Sequence, residues 1–145
     1  NLVAMTSIPA TYRQLVLIVT GASSDTASRA LLLQVSVDNG ASYATSGYVT
    51  YIQDSGGTRF ALTDRFSSPT QVQAAASVDS FVATITGYQG GGGAMCQTVG
   101  VQTGAINYTA TGSYPASTSA IDAIRLIWNS TGNFDAGTYK LLGIR

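Results

Sequence analysis

The sequence has no histidine, no glutamate and a single lysine, Lys140, and charged residues make up only 10% of its 145 residues. Globular domains usually carry about 25% charged residues. Long surface helices depend on Glu and Lys for intrinsic propensity and for ion pairs one turn apart, so this shortage argues against a helical domain. The absence of histidine excludes Ser-His-Asp and Cys-His catalytic sites.

The acidic residues are few and are all aspartates. They are Asp25, Asp38, Asp54, Asp64, Asp79, Asp122 and Asp135. Most lie in predicted turns, where an aspartate commonly bonds its own backbone. We therefore expect no enzyme, no metal site and no cofactor. Two alternatives stay open: a calcium ion at Asp38-Asn39-Gly40, and a glycan-degrading fragment that uses a pair of aspartates.

Cysteine is limited to Cys96, so no internal disulfide can form. We expect Cys96 to be a small buried residue at the start of a strand, because a reactive thiol needs a neighbouring base or cation.

Basic residues are scattered, and the formal net charge is zero. A phosphate-binding face needs clustered Lys and Arg, so we expect no nucleic-acid partner. No apolar run approaches the length of a transmembrane helix, and we expect no membrane insertion. The length suits one domain, residues 1–145. Since the sequence begins with Asn, that domain can belong to a longer chain.

Alternating apolar and polar residues, separated by turn residues, predict strands rather than helices. The predicted strands are 14–20, 30–38, 48–53, 58–62, 78–87, 94–102, 105–112, 121–128 and 138–145. Only residues 71–77 suggest a helical turn. Asp38-Asn39-Gly40 predicts a tight turn, and the glycines at 90–93 suggest a flexible crossing or a bulge. We predict an all-β, jelly-roll-like antiparallel sandwich of eight or nine strands.

Aromatic residues are the best candidates for contacts with a ligand. Trp128 alternates with Ile124 and Leu126, which predicts a core position, with a sugar platform as the alternative. Tyrosine offers a flat apolar ring and a hydroxyl, which suits stacking on a sugar or on a neighbouring subunit. The candidate ligand-binding residues, for a glycan or a subunit contact, are Tyr43, Tyr48, Tyr88 and Tyr114. Packing at the edge of the core is the alternative for each.

Two segments carry a resemblance to a known class of proteins. Residues 123–145 consist of an apolar strand, a Gly-Asn-Phe loop, an Ala-Gly-Thr sequence and a strand that ends in Leu-Gly-Ile. Residues 31–43 form a strand that ends in Asp-Asn-Gly, with Tyr43 and Tyr48 after it. Together they resemble segments of virion proteins of tailed bacteriophages.

The resemblance implies a jelly-roll-like domain in a fibre, spike, baseplate or head decoration, located on the surface of the virion. Such domains often form homotrimers, contact other virion proteins and touch host glycans. We therefore expect a non-enzymatic structural virion protein involved in host attachment. A carbohydrate-binding module that recognises host surface glycans is the main alternative, and an unrelated β-sandwich adhesin is another.

Assembly also predicts apolar residues on both sides of a sheet. The last strand fits this expectation, since Tyr139 and Leu141 alternate with Leu142 and Ile144. We further expect Phe134 to fold over one end of the sandwich, and Gly143 to permit close approach of a neighbouring strand or subunit.

Overall fold

The computed structural model describes residues 2–27, 29–57, 59–66, 77–103, 106–130 and 132–145. These residues form ten strands and no helix. The strands are β1 (Leu2–Met5), β2 (Gln14–Ser24), β3 (Leu31–Ser36), β4 (Val49–Asp54), β5 (Arg59–Leu62), β6 (Asp79–Thr86), β7 (Ala94–Gln102), β8 (Ile106–Tyr114), β9 (Ala123–Trp128) and β10 (Phe134–Ile144).

The strands pair in two antiparallel sheets of unequal size. The smaller sheet has the order β1-β9-β3, and the larger has the order β10-β2-β6-β7-β8-β4-β5. The prediction of an all-β sandwich is confirmed. Its finer part, the jelly-roll connectivity, stays a prediction.

The core lies between the two sheets and is built by alternation along each strand. Leu15, Leu17 and Val19 of β2 point inward, and the inward side chains of β9 belong to the same cluster, including Leu126 and Trp128. Trp128 is buried as predicted and packs against Phe134, with ring centroids 5.3 Å apart. Phe134 is the first residue of β10 and is partly buried against the core, and whether it covers an end of the sandwich stays a prediction.

Several strands differ from those predicted, most clearly β1, β2 and β10, and β2 continues to Ser24 instead of ending at residue 20. β1 was not anticipated, because its four residues are too few for a clear alternation, and it pairs with β9. β10 begins at Phe134 instead of Thr138, since two irregularities in its pairing with β2 carry the ladder past Gly137, whose φ is 129°. Glycine tolerates this backbone conformation, which other residues rarely adopt.

The predicted tight turn at residues 38–41 is confirmed. Asn39 and Gly40 have φ of 57° and 86°, and the N–H of Ala41 donates to the carbonyl of Asp38. These positive values match a type I′ turn. The turn joins no hairpin, because β3 and β4 lie in different sheets.

Two other connections also bear on the sequence analysis. Glycines 90–93 lie in the loop between the paired strands β6 and β7, so they form neither a crossing nor a bulge within a strand. The suggested helical turn at 71–77 lies outside the described residues, apart from Ser77.

Gly143 permits a close approach, but by a side chain of the same chain. A Cβ atom at this position would overlap the ring of Tyr12. The guanidinium of Arg145 lies 5.9 Å from the centroid of the same ring. The close packing predicted at Gly143 is therefore used within the domain.

A matched pair of valines tests which side chains are buried in the core and which are exposed to solvent. Val35 is completely buried, whereas Val99 is 65% exposed. We expect Val35→Ala to lower the free energy of unfolding by about 2 kcal/mol, because it removes buried methyl groups, and Val99→Ala to change it by less than about 0.5 kcal/mol. Urea denaturation measures both values. Equal losses in dilute solution would contradict the described burial.

Candidate binding surface on the seven-stranded sheet

The four predicted tyrosines do not gather on one exposed edge. Tyr48 and Tyr88 are buried. The hydroxyl of Tyr48 accepts from the N–H of Val35 at 2.9 Å, and burial raises the pKa of Tyr48 well above 10. The hydroxyl of Tyr88 donates to the carbonyl of Pro9 at 2.7 Å. A tyrosine can be buried in this way because its hydroxyl finds a backbone partner.

The other two tyrosines also make contacts within the domain. Tyr114 packs against Tyr48 with ring centroids 4.8 Å apart. Tyr43 lies under the guanidinium of Arg125, which is 4.5 Å from the centroid of its ring. All four of the candidate tyrosines therefore make contacts within the domain. Binding of a glycan is a separate question.

An exposed surface is instead formed by the side of the seven-stranded sheet that faces away from the core, here called the outer face. Burial alternates strictly along β4, and nearly so along β7, so that every second side chain points outward. In the described part of the chain, the four central strands β2, β6, β7 and β8 contain one charged residue, Asp79, and it is buried. The centre of the outer face therefore carries no charge.

One part of the outer face, here called the aliphatic half, is largely apolar, with Ser80, Thr84 and Gln97 lying among its residues on β6 and β7. It consists of Val16, Ile18, Val82, Met95, Val99 and Val101. Ile18 lies opposite Val82, which lies opposite Val99, so these three side chains form a row across β2, β6 and β7. Val99 is the most exposed of them. Cross-strand neighbours of this kind form a continuous patch.

The other part, here called the polar half, lies on β8, β4 and β5. It consists of Tyr51, Gln53, Arg59, Thr109 and Thr111, and these residues line a shallow groove of about 400 Å³. Thr111 lies opposite Tyr51, and Gln53 lies between Thr109 and Arg59. Tyr51 is 64% exposed. It was not among the four candidate residues predicted from the sequence.

Two groups that could carry out covalent or acid–base chemistry, Cys96 and Asp25, are engaged in contacts within the fold. Cys96 is buried, and its burial raises the pKa of the thiol to about 12. Both oxygens of Asp25 accept hydrogen bonds from Asn133. Among the described residues, no group of three His, Cys, Asp or Glu side chains is placed to hold a metal ion.

The loop after β3 is organised by Asp38. Its carboxylate accepts hydrogen bonds from the hydroxyls of Ser36 and Ser42 and from the N–H of Ser42. These bonds favour the ionised form and lower the pKa of Asp38 from 3.8 to about 2. The next residue, Asn39, links the loop to Ser7 and to Asp122.

Comparison with known proteins adds no relative. No protein-family model matches this sequence, and no curated protein is significantly similar to it. Among the described residues, no helix has the length and apolar character needed to cross a membrane. Function is therefore inferred from the contacts, burial and charge of the described residues.

The lowered pKa of Asp38 predicts a specific dependence of stability on pH. Because the pKa is lower in the folded state, the ionised carboxylate stabilises the fold above pH 4, and this contribution is lost as the pH falls from about 4 to about 2. We expect the melting temperature of Asp38→Asn to fall less over this interval than that of the wild type. A parallel fall in both proteins would show that Asp38 does not carry this effect.

Proposed function

We propose that this chain is a non-enzymatic structural module of a tailed-phage virion. In this proposal it forms part of a fibre, spike or related appendage, with a jelly-roll-like fold, and takes part in host attachment. It associates with further copies of itself, as a homotrimer, and with other virion proteins. The observation that carries the proposal is the uncharged aliphatic half of the outer face.

The size of the outer face is adequate for association. Strands lie about 4.8 Å apart and rise about 3.3 Å per residue, so eight residues of each of the four central strands cover roughly 500 Å² in projection. Side-chain relief and the flanking strands add to this area. A stable interface buries about 800 Å² of accessible surface on each partner, and the four neighbouring strands β10, β2, β6 and β7, which lie outside the polar half, supply much of that area.

The chemistry of the face also favours contact with a copy of itself. Exposed apolar patches of this kind mark interaction sites. Burying one charged side chain without a partner costs several kcal/mol, and the central strands present none to the outside. Two such faces can meet over their central strands without burying a charge, because the outward charges of Lys140 and Arg59 lie on the edge strands β10 and β5.

The resemblance of residues 31–43 and 123–145 to virion proteins supports the proposed location in a virion and the proposed homotrimer. β10, which belongs to the second segment, extends the same face with Leu142, half-buried, and Ile144, which is exposed, and it places the exposed Lys140 opposite Ile18 at the edge of the aliphatic half. Around a three-fold axis, one face of each subunit can contact both neighbours. The buried thiol and the hydrogen-bonded carboxylates support a structural role over catalysis.

A carbohydrate-binding module is the second candidate. The exposed ring of Tyr51, beside amide and hydroxyl groups, favours it. The two functions are compatible, because the aliphatic half and the polar half occupy different strands of the sheet.

A charge introduced in the centre of the aliphatic half tests the assembly. We expect wild-type protein to sediment as a trimer, with three times the monomer mass of 14.9 kDa, and Val99→Asp to sediment as a monomer. The reason is that burying the new carboxylate costs more than the apolar contact contributes. Val37→Asp is the matched control, because Val37 is 37% exposed and lies outside the outer face.

The two variants separate the possible outcomes. A wild-type protein that is monomeric at high concentration would contradict the proposal. So would a trimer that Val99→Asp leaves intact. If Val37→Asp alone dissociated the trimer, the interface would lie near the end of β3 instead.

A further inference from the structure

We propose that the polar half of the outer face binds a saccharide that carries a carboxylate, such as a uronic or sialic acid residue of a surface polysaccharide. This inference rests on the attachment part of the proposed function. It names the position of the site and the chemical class of the ligand, and it does not depend on the oligomeric state.

The stacking platform is the ring of Tyr51. Thr111 lies opposite it on one side and Ala61 on the other, so small side chains flank the ring and leave its surface open. This surface differs from the rings of Tyr48 and Tyr114, which are used within the core. An exposed tyrosine offers a flat apolar surface together with a hydroxyl, which suits the apolar and polar faces of a sugar.

The charge that selects an acidic ligand is the guanidinium of Arg59. Its side chain is exposed, and no ion pair with a carboxylate occupies it among the described residues. Asp54, on the neighbouring strand, points into the domain and is buried. A guanidinium binds a carboxylate through two parallel hydrogen bonds, which give both affinity and orientation.

Gln53 connects the platform and the charge. It follows Tyr51 by two residues on β4, on the same side of the sheet, and lies opposite Arg59 on β5. Its amide can donate to and accept from sugar hydroxyls, as can the hydroxyls of Thr109 and Thr111. A groove of about 400 Å³ falls within the size range of sites for small ligands.

The single positive charge of the groove argues against anionic ligands that carry several charges. Arg59 is the only basic residue among those that line the groove, so the site balances one negative charge. A nucleic acid presents a row of phosphates and needs several cations. A sugar with one carboxylate and several hydroxyls matches one guanidinium surrounded by neutral polar groups.

The test is an NMR titration with a panel of oligosaccharides that contain uronate or sialate, each beside its neutral methyl ester. We expect the acidic members to shift resonances of Tyr51, Gln53 and Thr111, with affinities that fall as salt is added. We expect Arg59→Gln to weaken binding by about tenfold and to remove the preference for the acid over the ester. Tyr51→Ala should weaken binding of both members, and Tyr51→Phe should retain it.

Arg13→Gln is the matched control, because Arg13 is exposed and precedes β2, which is separated from β4 by three strands of the sheet. Equal affinity for acid and ester, or equal loss in Arg59→Gln and Arg13→Gln, would overturn the choice of ligand class. If Tyr51→Ala bound the oligosaccharides as well as the wild type, the proposed position of the site would be wrong, whereas the proposed role in host attachment would stand. If no member bound at about 10 mM, the inference would fail, whereas assembly is judged separately by sedimentation.

Discussion

The buried cluster that the two sheets share is the interaction on which the rest of the structure depends. Leu17 and Val19 of β2 belong to the same buried cluster as Leu126 and Trp128 of β9, which joins the large sheet to the small one. Because side chains alternate along a strand, burying these residues places the intervening residues of β2, among them Ile18, on the other side of the sheet. The aliphatic half of the outer face is therefore a consequence of how the core is formed, and its apolar character is the feature that the core does not require.

Much of the fold followed from alternation and turn chemistry. The core position of Trp128, the burial of Cys96 and the turn at Asn39 were each predictable, because each depends on a few neighbouring residues. β1 could not be predicted in this way, since its pairing with β9 joins segments more than a hundred residues apart. A pattern within one segment gives the faces of a strand but says nothing about its neighbours.

The candidate site was harder to predict because tyrosine suits both the core and the surface. Tyr48 and Tyr51 stand three residues apart, and nothing in their composition separates them. What separates them is their place along the chain: Tyr51 alternates with the buried Ile52, whereas Tyr48 precedes β4 and directs its hydroxyl to the backbone of β3. The alternation of residues along β4 could therefore have predicted that Tyr51 is exposed. The burial of Tyr48 depends on a contact between the two sheets.

The central claim is that another copy of the chain covers the aliphatic half of the outer face, and the two methionines of the sequence allow a direct test of it. Met95 is 49% exposed on this face, whereas Met5 is half-buried on β1 in the other sheet. Hydrogen peroxide converts an accessible methionine to its sulfoxide, and mass spectrometry follows each site separately. The account predicts that oxidation of Met95 slows several-fold on going from dilute to concentrated protein, while that of Met5 keeps its rate. Oxidation of Met95 at one unchanged rate across that range would contradict it.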